Sequence, residues 1–372
     1  MRRSFLLFVF SFAAVSCLQA RADDLAENII VTATRTPQPA EKTGESVSLI
    51  TSQQLDQRQI LTVTDALQQT PGITVVHPGG LGQSATTVSI RGAEVGQTLV
   101  LIDGVRLNDP GTVDNEPVMG DLLVNDIDRI EVVRGPQSTL YGSDAIGGVV
   151  NIFSRRGGET PIALRASAEA GSFDTYHFNA AANGTVSDVE YGAAANFLHS
   201  NGTSAADSHN GNPETDGYTN AGLTENVRVH LGDGASIDLR SYYTNARVDF
   251  DDNFAFVPPD TFRVADSAAY ARDSLLGTYL GFNFGLLGGA FSNRIAAIGS
   301  DAKRAYYDSA FDTVHKNSSD DGGTRRLEYQ GTLQLMQEDQ LTFGAEYQRV
   351  AFTGKVFSSF ATESIDRGRS HV

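Results

Sequence analysis

The sequence predicts a compact α+β domain followed by long antiparallel strands with one apolar and one polar face. Three observations predict it. A charged and apolar leader opens the chain. Residues 45–156 mix short apolar strands with a helix signal and tight-turn residues. From about Gly157 onward, apolar and polar residues alternate with a period of two. No stretch after the leader approaches the roughly 18 consecutive apolar residues of a membrane helix, whereas alternating barrel strands keep mean hydropathy low.

Arg2 and Arg3 precede the apolar run Phe5 to Val15, and the small-x-small triplet Ala20-Arg21-Ala22 follows. This predicts a signal peptide over residues 1–22, cleaved before Asp23. Arg2-Arg3-Ser4-Phe5-Leu6 has a faint twin-arginine character, but the strongly apolar core favours the ordinary export route. Ala14-Val15-Ser16-Cys17 lacks the leucine of a lipoprotein site. Cys17, the one cysteine, therefore leaves with the signal, and no disulfide or thiolate chemistry is expected. The formal charge of −17 argues against nucleic acid as a partner. It suits either cation-binding loops or plain solubility.

Residues 23–44 read as extended and polar, with Pro37 and Pro39 discouraging regular structure. Thr62 or Thr64 is placed to cap a helix through Asp65-Ala66-Leu67-Gln68-Gln69, which Pro71-Gly72 stops. Strands are predicted at Ile73–Val76, Val88–Arg91 and Leu99–Ile102, and Asp103-Gly104 makes a tight turn before Val105-Arg106-Leu107. Two more, Ile130 to Val133 and Val149 to Phe153, flank a polar centre. Arg91, Arg106, Glu131 and Arg134 are charges set in apolar strands, so each is expected to be paired. Gly135, Gly142, Gly147 and Gly148 fit turns or close backbone approach.

In the second part, Ile237, Leu239, Ser241 and Tyr243 alternate with Asp238, Arg240 and Tyr242. Leu327, Tyr329, Gly331, Leu333 and Leu335 alternate with Glu328, Gln330, Thr332 and Gln334. Leu341, Phe343, Ala345 and Tyr347 follow the same rule. A β-sandwich gives the same alternation with its apolar face turned inward, so periodicity leaves both open. Long polar stretches at 200–220 and 246–268 alternate with tight turns such as Gly232-Asp233-Gly234. No His-Glu-x-x-His, Gly-x-Ser-x-Gly or phosphate loop is present; Gly79-Gly80-Leu81-Gly82 lacks the strand-to-helix context of a nucleotide site.

Residues 128–156, Asp-Arg-Ile-Glu-Val-Val-Arg-Gly-Pro-Gln-Ser-Thr-Leu-Tyr-Gly-Ser-Asp-Ala-Ile-Gly-Gly-Val-Val-Asn-Ile-Phe-Ser-Arg-Arg, closely resemble the end of the plug domain of TonB-dependent outer-membrane transporters, nearest the cobalamin branch. Thr87 to Gly92 and Thr98 to Asp109 match the same family. The resemblance implies an α+β plug (45–156) inside a transmembrane antiparallel β-barrel (157–372), in the outer membrane of a Gram-negative bacterium. It also tips the alternation towards a barrel. A plugged lumen needs about 22 strands, and roughly nine or ten are counted here, so the chain is expected to be an N-terminal portion of a longer transporter.

Glu27 to Thr34 resembles the TonB box, which implies TonB binding through Ile29, Ile30, Val31, Thr32 and Ala33. A β-branched, uncharged segment near a free end can add as a strand to a partner's sheet edge, and TonB would pull on it using proton-motive force. By the same resemblance the substrate-binding apex loops are His77–Thr86 and Asn108–Pro117, with Gly80, Gln83, Ser84, Asn108, Val113 and Asp114 as candidate contacts. The implied ligand is cobalamin or a related corrinoid, with a ferric siderophore or haem as the alternative. A passive porin-like channel or a surface receptor needs no box and fits less well. The barrel-assembly machinery is the implied folding partner. No cofactor is required, but Asp207, Glu214, Asp216, Asp249 and Asp251 resemble acidic loops that hold Ca²⁺, which takes six to eight oxygens.

Overall fold

A computed structural model of the chain describes residues 29–30, 32–33, 35–77, 81–82, 86–112, 114–124, 126–204, 215–257, 261–265, 268–310, 313–336, 339–357 and 362–371. The signal peptide, Cys17, Glu27, Asn28, Val31 and Thr34 lie outside them. Two short strands, β1 (Ile29–Ile30) and β2 (Gln38–Pro39), pair antiparallel. β3 (Ser46–Thr51) runs into α1 (Ser52–Gln57) through a capping box: the Thr51 hydroxyl accepts from the Gln54 N–H, and the Gln54 side chain accepts from the Thr51 N–H. α2 (Val63–Gln68) starts two residues before the expected span because Thr62, not Thr64, is its cap, accepting from the Asp65 N–H.

β4 (Ile73–Val76) and β5 (Thr87–Ile90) form a separate hairpin. Arg91 is not embedded in a strand, as the sequence suggested; it follows β5 with φ 53° and is exposed. β6 (Thr98–Ile102), β7 (Val105–Arg106), β8 (Ile127–Arg134) and β9 (Gly148–Ser154) join β3 in one sheet of order β3-β8-β9-β6-β7. Between β8 and β9 lies the one-turn helix α3 (Ser138–Tyr141). β6 and β9 run parallel; the other pairs are antiparallel. Leu99 to Ile102, Val132, Val133, Val149, Val150 and Ile152 are buried on both faces of this sheet, which is why those stretches read as continuous apolar runs. Gly147 and Gly148 let β9 approach: a Cβ on either would overlap Ala93 or the Val133 carbonyl.

The remaining strands are β10 (Ala163–Gly171), β11 (Thr175–Val186), β12 (Val189–Ser200), β13 (Tyr218–Gly232), β14 (Ala235–Asp249), β15 (Asp252–Val257), β16 (Thr261–Ala265), β17 (Tyr270–Leu286), β18 (Phe291–Ala310), β19 (Thr313–Gln334), β20 (Gln340–Phe357) and β21 (Thr362–His371). Ten of them form a single antiparallel meander, β10-β11-β12-β13-β14-β17-β18-β19-β20-β21, and β15–β16 is a hairpin inserted between β14 and β17. Among the described residues β10 and β21 pair on one side only, so the sheet is open. Asp233 and Gly234 take φ 49° and 75° in the tight turn between β13 and β14. The stretches expected as loops at 200–220 and 246–268 are shorter than predicted. β13 starts at Tyr218, β14 continues to Asp249, and a hairpin occupies much of the rest. Asn220 and Ala246 are buried at inward strand positions, and neither residue type marks a strand by composition.

Burial along these strands is the reverse of a β-sandwich. Leu327 is 57% exposed while its neighbours Arg326 and Glu328 are 5% and 6% exposed. Leu223, Leu239, Tyr243, Leu280 and Ile295 likewise face outward, and Asn220, Asn226, Asp238 and Asp273 face the plug. An apolar outside around a polar inside is a membrane barrel wall. No helix among the described residues is long and apolar enough to cross a membrane. Placing a charge on the outer face should therefore be destabilising only in lipid. Leu280→Arg should cost about 2–4 kcal/mol in denaturant unfolding from phospholipid vesicles, and a cost near zero would contradict the orientation.

Candidate functional site

The contact between plug and barrel wall is polar and concentrates at three places. The first is the segment 29–42. Glu131 on β8 has no exposed side-chain surface, and a buried carboxylate needs donors for its lone pairs. Arg129, two residues along the same strand, donates from Nε at 2.9 Å. The other oxygen accepts the Thr32 N–H at 2.8 Å and the Thr32 hydroxyl at 2.6 Å. The Asn151 amide donates to the Thr32 hydroxyl at 3.1 Å, and the Tyr141 hydroxyl donates to the Thr32 carbonyl at 3.0 Å. Burial pushes the Tyr141 phenol up to about 12, so it remains a donor at any physiological pH. Ala33 packs with Val133, and Ala40 and Val47 close over them.

The same segment reaches the wall. Arg35 lies over the Tyr141 ring at 4.6 Å and pairs with Glu328 on β19 at 3.4 Å. Gln330 donates to the Arg35 carbonyl at 3.3 Å, and Gln340 to the Thr36 hydroxyl at 3.0 Å. Of the box residues, Thr32 and Ala33 are thus buried, Ile29 and Ile30 pair with Pro39 and Gln38, and Val31 lies outside the described residues.

The second place is the Asp103-Gly104 turn. The Arg240 and Arg326 guanidinium groups, both on the wall, donate to the Asp103 and Gly104 carbonyls, each at 2.9 Å. Burial pushes the Asp103 carboxyl up, opposed by Arg240 and by the Ser154 N–H that donates to it. Nearby, Arg106 is paired as expected, with Asp144 at 3.4 Å and Glu346 at 3.3 Å. Arg134 is not: among the described residues it has no ion pair, and the Pro71 carbonyl and the Ser46 and Ser48 hydroxyls accept from it instead. Burial, and then the Arg91 charge, lower its pKa.

The third place is the end where the long connections lie. Tyr218 donates to Asp121 at 3.0 Å, and Asn220 donates to the Asp121 carbonyl and to Tyr218. A side chain at Gly82 would overlap the Tyr218 ring, so Gly82 lies against this cluster. Asp121 is pushed up to about 8, first by burial and then by the negative charge of Asp273. Of the candidate ligand contacts, Gly80, Gln83, Ser84 and Val113 lie outside the described residues, and Asp114 is exposed. The Asn108 amide is engaged by the Val100 N–H and the Thr98 and Asn115 carbonyls.

The acidic loops meet beside this end. The Asp249 N–H donates to the Gly217 carbonyl at 2.8 Å, and the Ser204 hydroxyl donates to Asp251 at 3.1 Å. Asp249 is paired with Arg247 at 2.8 Å. Among the described residues no group of three metal-ligating side chains comes together; Asp207 and Glu214 lie outside them. The residues that sequence reasoning missed are Arg129, Tyr141, Asn151, Asp121 and the wall arginines. Only polar residues at the inward positions of alternating strands signalled the last of these.

Residues 39–149 match the family model described as TonB-dependent Receptor Plug Domain. The vitamin B12 transporter BtuB of Photobacterium profundum is 31% identical over 262 residues, covering 68% of this chain and 42% of that protein. The pyoverdine outer membrane receptor of Pseudomonas aeruginosa superposes with a TM-score of 0.69 at 16% identity, covering 90% of this chain and 50% of the other. The siderophore receptor PiuA of Acinetobacter baumannii gives 0.66 at 17%, covering 92% and 51%. The chain thus spans about half the length of these relatives or less.

The Asp121 cluster makes docking depend on pH. Its folded pKa is raised from 3.8 to about 8, so the folded state binds the proton more tightly than the unfolded one. Stability from this group is present at low pH and is lost as pH rises through that window. Asp121→Asn, which keeps the Tyr218 hydrogen bond, should flatten the slope of stability between pH 5 and 8 as measured by denaturant unfolding. An unchanged slope would contradict the assignment.

Proposed function

The chain belongs to the TonB-dependent receptor family, and from that premise we propose that it forms the plug and first strands of a transporter that takes up a scarce, large nutrient across the outer membrane of a Gram-negative bacterium. The carrying observation is the latch at Thr32. Its N–H is donated to Glu131, and its carbonyl accepts from Tyr141. These are main-chain groups that strand addition to a partner's sheet would use. Docking in the latch and capture by TonB are therefore mutually exclusive at this residue. TonB, drawing on proton-motive force, would engage Ile29, Ile30, Val31, Thr32 and Ala33 once the latch opens, and the pull would pass along the chain to β3.

The proposed ligand is cobalamin or a related corrinoid. What supports this is the 31% identity over 262 residues to a protein named as a vitamin B12 transporter. The siderophore receptors share the fold at identities that speak for the fold alone, so a ferric siderophore is the second reading. The ligand would rest on Gly80, Gln83, Ser84, Asn108, Val113 and Asp114. Calcium is part of the same proposal. The segments carrying Asp216, Asp249 and Asp251 are hydrogen-bonded together, and Asp207 and Glu214 would complete the set. Arg247 would have to yield Asp249 to the ion.

In a full-length receptor carrying this sequence, Ile30→Pro removes a donor that strand pairing needs. Uptake of labelled cyanocobalamin should fall to background while binding to whole cells is retained. Normal uptake would refute the box, and absence of cobalamin binding in the unaltered receptor would refute the ligand.

A further inference from the structure

Between the plug and the wall lies a cavity of about 460 Å³, on the side of the plug that carries Arg35 and Pro37. Among the described residues seven arginines line it against three carboxylates, Asp103, Asp128 and Glu328. Some of that charge is answered from behind the lining: Asp238 pairs with Arg156, Arg228 and Arg240 at 3.7, 2.6 and 3.1 Å. That is one carboxylate shared by three guanidinium groups. Glu328 is in turn shared by Arg35 and Arg294.

The telling feature is the donors left over. Tyr279 is 3% exposed, and its hydroxyl has no hydrogen-bond partner. The Nε atoms of Arg240 and Arg294 are likewise buried and without an acceptor, and that of Arg326 makes no hydrogen bond and meets only the Glu346 carboxylate, at 3.9 Å. All four side chains line this one cavity. Their other groups are engaged: Arg240 and Arg326 hold the Asp103-Gly104 turn, Arg294 holds Glu328 and Gln330, and the Tyr279 ring lies under Arg240 at 4.3 Å. Buried donors without acceptors are costly, and a cavity that gathers four of them is built for an acceptor-only guest. Arginine forks and a phenol O–H favour an anionic oxygen ligand.

We propose that this chamber is an oxyanion site, taking a phosphate-class group between the Tyr279 hydroxyl and the Nε donors of Arg240, Arg294 and Arg326. The inference goes beyond the uptake reading and stands without it, because the site can be measured with no TonB and no transported nutrient. A phosphate presents an oxygen to each of the four donors, which a carboxylate does not. The volume holds one such group with its first waters, not a whole large nutrient. The anion would be either free phosphate or a phosphodiester carried by a larger molecule.

The test is calorimetric titration of inorganic phosphate, and separately of dimethyl phosphate, into the protein purified in detergent, with acetate as a control. Saturable phosphate binding is expected, weakened about tenfold or more by Tyr279→Phe and by Arg294→Gln, since each removes a charge-assisted hydrogen bond. Tyr279→Phe keeps the ring under Arg240, and heat-modifiable migration reports whether each variant is folded. Competition by dimethyl phosphate would assign the site to a diester, and binding of inorganic phosphate alone to the free ion. No saturable binding of either, equal binding of acetate, or phosphate affinity unchanged in folded Tyr279→Phe would overturn the proposal.

Discussion

The carboxylate of Glu131 has no access to solvent, and the rest of the architecture can be read as the means of satisfying it. An isolated buried charge is untenable, and a paired one is held only if its remaining lone pairs find donors. Arg129 supplies the counter-charge from the same strand, but it covers one oxygen. The second oxygen is served by Thr32, 99 residues away in sequence. Segment 29–42 is thereby drawn against the plug, Tyr141 and Asn151 are positioned to complete the Thr32 contacts, and Arg35 is brought within reach of the wall. A purely apolar core at this point would leave the segment with nothing specific to bind.

The same logic extends to the plug–barrel contact. It joins guanidinium groups to carbonyls and carboxylates, as at Asp103-Gly104 and at Arg106, beside apolar clusters that link Val105 with Tyr279 and Ile298, Leu123 with Leu198 and Ala246, and the plug core with Leu275 and Ala302. Such an interface is specific when closed. Its polar groups, unlike its apolar clusters, can exchange partners with water. The wall turns its other face to lipid, with Leu239, Leu280 and Leu327 exposed there.

Much of this was legible in the sequence, and the failures have physical causes. The apolar runs at 99–102, 130–133 and 149–153 gave their strands because burial on both faces leaves no alternation to misread. The sequence offered Thr62 or Thr64 as the α2 cap, and the structure takes Thr62. The period of two after residue 160 gave strands, and the family resemblance gave their reading as a barrel wall. That same period could not say how far each strand runs, since Asn220 or Ala246 suits a loop as well as an inward strand position. Nor could local pattern say which partner meets a charge. Glu131 and Arg106 look alike as charges in apolar strands, and so does Arg134, yet the first two find ions and the third finds carbonyl and hydroxyl oxygens. Arg91 failed because Gly92 turns the chain one residue earlier than the apolar run implied. The latch itself was invisible, because nothing near Thr32 in sequence points to a carboxylate 99 positions on.

The most direct test of the account is the accessibility of the box in the presence and absence of the latch. Cys17 is the one cysteine in the sequence, so in a Cys17→Ser background Ile30→Cys can be alkylated as the single thiol of the folded, detergent-purified receptor. Glu131→Gln removes the charge that holds Thr32 and Arg129, a loss of about 1.5–3 kcal/mol for hydrogen bonds to a charged group. The alkylation rate should rise by about 10-fold or more, with the heat-modifiable band unchanged. An equal rate in the two proteins would mean that Glu131 does not hold the segment, and the latch would cease to explain how the plug is armed.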